Sequence, residues 1–242
     1  MSTRTVFSFL ISLFFLAAAA VQADPINLSA TRSVTIGDRS GSLSGANSPS
    51  TVLGGFSDSV TGLLGPNQPK TTSASQHTDI QAGTGIFAGR GESSVGFSVL
   101  NSDQVVAESF FDVSFDLTDI HSYSLTGLLT ANMDGGYGES LFRLSDGGST
   151  NILFSILNYG DDVVLNSSGT LNPGSYHLLV SSIINNNGDD RGVNGYMGGT
   201  TSFSFNLDLD PVTSTVPEPA TWALLLSGLA GLRLLRHRGR TA

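Results

Sequence analysis

The residues best placed to do chemistry in this chain are oxygen donors crowded into turns. Asn185-Asn186-Asn187-Gly188-Asp189-Asp190 gathers carboxylates and carboxamides around a glycine, the hard donor set that calcium takes. Asp189 and Asp190 are its candidate ligands. Asp161-Asp162 and the stretch from Asp134 to Glu139 repeat the pattern. None follows the twelve-residue spacing of an EF-hand. Asx residues also collect in turns because they hydrogen-bond their own backbone, so plain turn chemistry stands beside calcium. No other cofactor is expected.

Covalent chemistry has little to work with. The chain has no cysteine, which excludes disulfides, thiolate metal sites and a cysteine nucleophile. His77, His121 and His177 are scattered without repeated spacing, and His237 lies in a basic tail. Asp119-Ile120-His121 would place two groups on one strand face, and His177, between Tyr176 and Leu178, would face solvent. Neither a Gly-x-Ser-x-Gly elbow nor a His-Glu-x-x-His pair occurs. Gly83-Thr84-Gly85 echoes a dinucleotide loop but lacks a surrounding βαβ unit, so it reads as a turn into a strand. Hydrolysis of a polysaccharide would need two carboxylates about 5–10 Å apart in a cleft. Sugar stacking would fall to tyrosines, because the single tryptophan, Trp222, lies outside the body. Of Tyr123, Tyr137, Tyr159, Tyr176 and Tyr196, those beside Gly/Asp turns (Tyr137, Tyr159 and Tyr196) are expected to be exposed.

The elements that must carry these residues are strands. Phe111, Val113, Phe115 and Leu117 alternate with polar residues, as do Phe203, Phe205, Leu207 and Leu209, and Tyr176, Leu178 and Val180. A period of two puts each set on one face of a strand. Segments 123–129 and 152–156 read as further strands. Weaker ones are expected at 30–36, 75–80, 85–88, 95–99, 140–144 and 163–165. Glycine-rich turns near residues 135, 147, 160 and 188 separate them at roughly ten-residue spacing, the punctuation of an antiparallel β-sandwich or jelly roll. The stretch from Gly62 to Gln76, with Gly65-Pro66-Asn67 and a Thr/Ser run, is expected to be an exposed loop. No body segment keeps a helical period over twelve residues. The expected fold is all-β, one domain over residues 24–211, with a linker at 212–216.

Composition narrows the partners. Of the formal charge of −9, residues 1–23 carry +1 and residues 216–242 carry +3, leaving −13 for residues 24–215. Such a body repels nucleic acid and anionic lipid and suits cations or neutral glycans. Charged residues make up 13% of the chain and Gly occurs 29 times, a low-charge, glycine-rich balance relative to an average globular protein.

The ends are built differently. Arg4 precedes an apolar run from Val6 to Val21 broken only by Ser8 and Ser12, and Val21-Gln22-Ala23 offers a small-residue cut after Ala23. That order is a signal peptide, residues 1–23, for signal peptidase. At the other end Pro217-Glu218-Pro219 precedes an oily segment at about 220–235, carrying Trp222, Leu224, Leu225, Leu226, Leu229 and Leu232, and then Arg233, Arg236, Arg238 and Arg240. Thirteen helical residues from Ala220 to Leu232 span only about 20 Å, against a bilayer core of about 30 Å. The arginines should stay cytoplasmic. The proline triplet resists helix and should sit extended at the outer face of the inner membrane.

The tripartite tail from Val216 onward resembles the PEP-CTERM sorting signal of Gram-negative surface proteins, about a tenth of the chain. The resemblance implies that a membrane exosortase reads Pro217, Glu218 and Pro219, cuts nearby and passes the body to the surface or medium. Family members accompany exopolysaccharide and biofilm production. Leu171-Asn172-Pro173-Gly174-Ser175-Tyr176 also looks like the Leu-x-Pro-Gly-x-Tyr hairpin of exported β-sandwich and carbohydrate-binding-like modules. Together these point to a non-enzymatic structural or adhesive matrix protein. The alternative is a glycan- or calcium-binding module, and a polysaccharide-active enzyme ranks third.

Overall fold

The computed structural model describes residues 25–38, 53–64, 70–81, 84–98, 105–134, 137–147, 151–186, 197–212 and 227–228. Among them are eleven strands: β1 (Ile26–Asp38), β2 (Phe56–Leu64), β3 (Lys70–Gln81), β4 (Ile86–Ser98), β5 (Val105–Leu117), β6 (His121–Asp134), β7 (Tyr137–Asp146), β8 (Asn151–Asn158), β9 (Val163–Leu171), β10 (Gly174–Asn186) and β11 (Met197–Pro211). They form two antiparallel sheets, ordered β1-β5-β10-β7-β8 and β2-β3-β4-β11-β6-β9, called here the five- and six-stranded sheets. The two pack face to face as a sandwich, as the alternation requires when each sheet has one apolar side. Met1–Pro211 and Val212–Ala242 are separate compact units. Of the second, only Val212, Ser227 and Gly228 are described, the last two helical. Among the described residues no helix is long and apolar enough to cross a membrane. Residues 1–23, read above as a signal peptide, Pro217–Pro219 and the other residues read as a sorting tail, apart from Ser227 and Gly228, lie outside the described residues.

The expected alternations carry the core. Phe111, Val113, Phe115 and Leu117 of β5, and Phe203, Phe205, Leu207 and Leu209 of β11, face each other in one large apolar cluster with Phe87, Phe142, Leu178 and Val180. Ring pairs lock it: Phe87–Phe115 at 4.9 Å between centroids and Phe111–Phe205 at 5.2 Å. A smaller cluster holds Val34, Ile36, Val60, Ala74, Val95, Val105, Ala107 and Ile184.

Between the clusters runs a belt of buried polar side chains: Gln76, Ser93, Ser109, Ser140, Ser182 and Thr201. Ser93 Oγ donates to the Ser182 carbonyl, and Ser182 Oγ donates to the Thr201 carbonyl, each at 2.8 Å. The belt therefore ties the two sheets together by hydrogen bonds where apolar contact is interrupted. Arg32 lies at one end of this interior, 0% exposed. Its Nη1 donates to the Gly54 carbonyl at 2.6 Å and its guanidinium stands 5.3 Å from the Phe56 ring centre. Burial lowers the Arg32 pKa, and the nearby Asp79 opposes that shift.

Two expectations need correction. The Gly62–Gln76 stretch is not one exposed loop: β2 runs to Leu64 and β3 starts at Lys70, pairing Val60 with Ala74 and Gly62 with Thr72. Thr72, Ala74, Gln76, Thr78 and Ile80 all point inward and are buried. A β-branched Thr/Ser run suits a pleated strand even without an apolar face. The Leu171–Tyr176 stretch is not a hairpin either. β9 belongs to the six-stranded sheet and β10 to the five-stranded one, so Pro173 and Gly174 carry the chain across the sandwich. The Tyr176 hydroxyl donates back to the Asn172 carbonyl at 2.7 Å, the bond of a tyrosine corner.

Candidate functional site

An open trough of about 690 Å³ lies on the outer face of the six-stranded sheet. Its walls follow from strand register. Ser57, His77, Arg90 and Ser204 are cross-strand partners in one row over β2, β3, β4 and β11. Ser59, Ser75, Glu92 and Ser202 form the next row on the same side. Side chains two residues apart share a face, so eight hydrogen-bonding groups point outward in a grid four strands wide. Three inter-strand steps of about 4.8 Å make it roughly 14 Å across.

Glycine explains why the surface dips there. A Cβ at Gly91 would lie 2.2 Å from Ser109 Oγ on the facing sheet and 2.5 Å from the Phe203 ring. At Gly89 it would lie 2.4 Å from Thr78 Cγ2. With no side chain at either inward position, β4 settles against its surroundings, and Gly91 and Phe203 form part of the trough floor.

The chemistry offered is polar recognition. Arg90 supplies only donors and Glu92, as carboxylate, only acceptors, while serine hydroxyls and the His77 ring can do both. Among the described residues, no oppositely charged group lies within ion-pair distance of Arg90 or Glu92. Asp58 also lines the trough, its Oδ1 accepting the Ser59 N–H at 2.8 Å. Ser202 is already bonded to Thr130 across the β11–β6 pair, at 2.8 Å.

The sequence-derived candidates fall elsewhere. Tyr176 is buried, and Tyr123 is partly buried with its hydroxyl 3.2 Å from Ser167 Oγ. Tyr137 and Tyr159 are exposed as expected, 43% and 55%, and the fold brings them together with ring centres 5.7 Å apart. Tyr196, Asp189 and Asp190 lie outside the described residues. Asp161 and Asp162 are exposed, and among the described residues no group of three His, Cys, Asp or Glu side chains could hold a metal. Asp119 and His121 do not form a dyad: His121 is buried with Nδ1 3.0 Å from the Asp119 carbonyl, while the Asp119 carboxylate takes the Thr118 hydroxyl at 3.2 Å. His177 is on the outer face but is not a free solvent-facing ring. Its Nε2 lies 2.6 Å from Asp112 Oδ1, diagonally across the β10–β5 pair, and both side chains are less than a third exposed.

The sequence singles out neither Arg90 nor Glu92, and offers His77 only as an isolated histidine. The alternation Arg90-Gly91-Glu92 was visible, but the partners that complete the rows come from segments up to 147 residues away in sequence (Ser57 to Ser204). Register across four strands is not a local signal.

The chain is an all-β protein of the antiparallel sandwich class. No known protein family matches it, and no curated protein does. Among solved structures it is similar to the module TmCBM61 in complex with β-1,4-galactotriose, at 12% identity and a TM-score of 0.20, over 48% of this chain and 86% of that one. It is also similar to a structure of infectious bursal disease virus Gt strain, at 11% identity and a TM-score of 0.20. That second alignment covers 82% of this chain and spans 64% of the viral one. Both scores are too low to bear on the site.

Proposed function

We propose that this is an exported, non-enzymatic constituent of a polysaccharide matrix, and that its sandwich holds neutral glycan in the trough of the six-stranded sheet. The observation that supports the binding half is the grid itself: eight outward hydrogen-bonding groups, in two registered rows, around a cleft of about 690 Å³. That volume falls within the usual range of ligand sites. A sugar presents many hydroxyls that both donate and accept, and the trough answers with serines, a histidine, one cation and one anion. The routing half rests on sequence: signal peptidase removes residues 1–23, the oily segment pauses the chain in the inner membrane, and an exosortase acts at Pro217–Pro219.

Affinity electrophoresis of the full chain through gels containing neutral exopolysaccharide tests the binding half. Arg90→Ala removes a charged hydrogen-bond donor and should weaken retention about tenfold. Unchanged mobility of both chains, with and without polysaccharide, sinks the proposal. Release of reducing ends would favour hydrolysis instead, with Asp58 and Glu92 as the carboxylates that line the trough. Intact mass of the protein recovered outside producing cells tests the routing half. It should lack residues 1–23 and the oily tail; a species still carrying Trp222 would be an anchored envelope protein.

A further inference from the structure

On the opposite face of the sandwich, at the β7–β8 edge of the five-stranded sheet, the chain builds a different surface. Tyr137 and Tyr159 stand at 54° to each other, both exposed, and Leu157, two residues before Tyr159, is 42% exposed. The Tyr137 hydroxyl donates a hydrogen bond to Glu139 Oε2. Desolvation, then its bonds to Glu139 and Tyr159, raises the Tyr137 pKa. Asp161 and Asp162, both exposed, follow Tyr159 after one glycine. Two aromatic faces, an acceptor-only carboxylate and a body carrying −13 suit a cation: ammonium is attracted to ring faces and to carboxylate alike. An acidic sugar would be repelled.

We propose that the Tyr137–Tyr159 corner is a second saccharide site, and that its ligand is a glycan unit bearing a free, protonated amine. The ring of the sugar packs on one tyrosine while its ammonium lies between the second ring and Glu139. This extends the reading of the body as a glycan binder, so the experiment must let the two sites fail separately.

The full chain is titrated by calorimetry with a fully deacetylated β-1,4-glucosamine hexasaccharide and with its N-acetylated counterpart, and neutral-polysaccharide retention is measured in parallel. The deacetylated sugar should bind better than the acetylated one, and raising salt should weaken it. Tyr159→Ala should lower its affinity about five- to tenfold, while Tyr159→Phe restores most of it. Because Tyr159 is an exposed turn residue, folding should survive, which a melting curve checks. Neutral-glycan retention by Tyr159→Ala should match the parent chain. Equal binding of both hexasaccharides, or no response to Tyr159→Ala, overturns the second site and leaves the trough standing. Loss of both ligands in Tyr159→Ala shows that the faces are not independent and overturns it too. Failure of the parent chain to hold either glycan sinks both readings.

Discussion

The two sheets share one construction rule and present opposite outer faces. On the five-stranded sheet, half-buried Phe110, Leu141, Leu179 and Ile183 are interleaved with Glu108, Asp112, Arg143 and His177. Two of those polar groups, His177 and Asp112, pair with each other at 2.6 Å. On the six-stranded sheet the outward positions are mostly hydroxyls and carboxamides, for example Ser73, Ser75, Ser124, Thr126, Asn206 and Ser204. Hydrogen-bonding groups without partners in the sheet are available to a ligand. The five-stranded sheet's outer face is the more apolar and the six-stranded sheet's the more polar, and the trough belongs to the second.

The largest effect should come from the shared core. Phe205 touches Phe111, Phe142 and Phe203 with centroid separations of 5.2, 5.8 and 6.1 Å, joining the sheets. Phe205→Ala should cost about 3–5 kcal/mol in denaturant unfolding, and loss of both faces together would show that they depend on one core. Gly91→Ala probes the six-stranded sheet alone. Its Cβ collides with Ser109 and Phe203, so stability should fall by about 1–3 kcal/mol, and neutral-glycan retention should fall with it as β4 is pushed outward. A variant of parental stability and retention would show that the dip does not come from the missing side chain. Ser182→Ala removes the hydroxyl that bridges from the five-stranded sheet to Thr201 and should cost about 1–2 kcal/mol by the same measurement.

The smallest effect concerns the outer face of the five-stranded sheet. Glu108 stands between Thr35 and Ile183 across the strands, and burial raises its carboxyl pKa. The native state therefore holds that proton to higher pH than the unfolded chain does. Stability from this group falls as pH rises from the ordinary carboxylate value through the raised one. Glu108→Gln should lift the melting temperature by about a degree or two at neutral pH, and the gain should vanish under acid conditions where both states are protonated. A gain that persists in acid would assign the effect to packing.

The legible parts of the fold were those where apolar and polar residues alternate strongly. The Phe111–Leu117 and Phe203–Leu209 sets give β5 and β11 directly, and the glycine turns near 147 and 160 fall between strands. Only the second half of β3 reads as a strand, and weakly, because its inward side is Thr72, Ala74, Gln76 and Thr78 before Ile80. The belt of Ser93, Ser109, Ser182 and Thr201 hid for the same reason: a buried serine looks like a wet one until the facing strand is known. At the candidate sites, tyrosines beside turns led to Tyr137 and Tyr159, although their meeting depends on the β7–β8 pairing. The trough needed four strands in register and was beyond local reading.

The strand order also governs when this molecule can become solid. β10 and β11 sit inside their respective sheets and are the last two of the described strands. Without them the sheets fall into unjoined pieces: β1-β5 and β7-β8 on one side, β2-β3-β4 and β6-β9 on the other. A polypeptide threaded amino-end first through a narrow translocation channel would emerge as fragments of a protein, pliable until residue 211 has passed. For a chain threaded that way the keystones would arrive last, and assembly would wait for them.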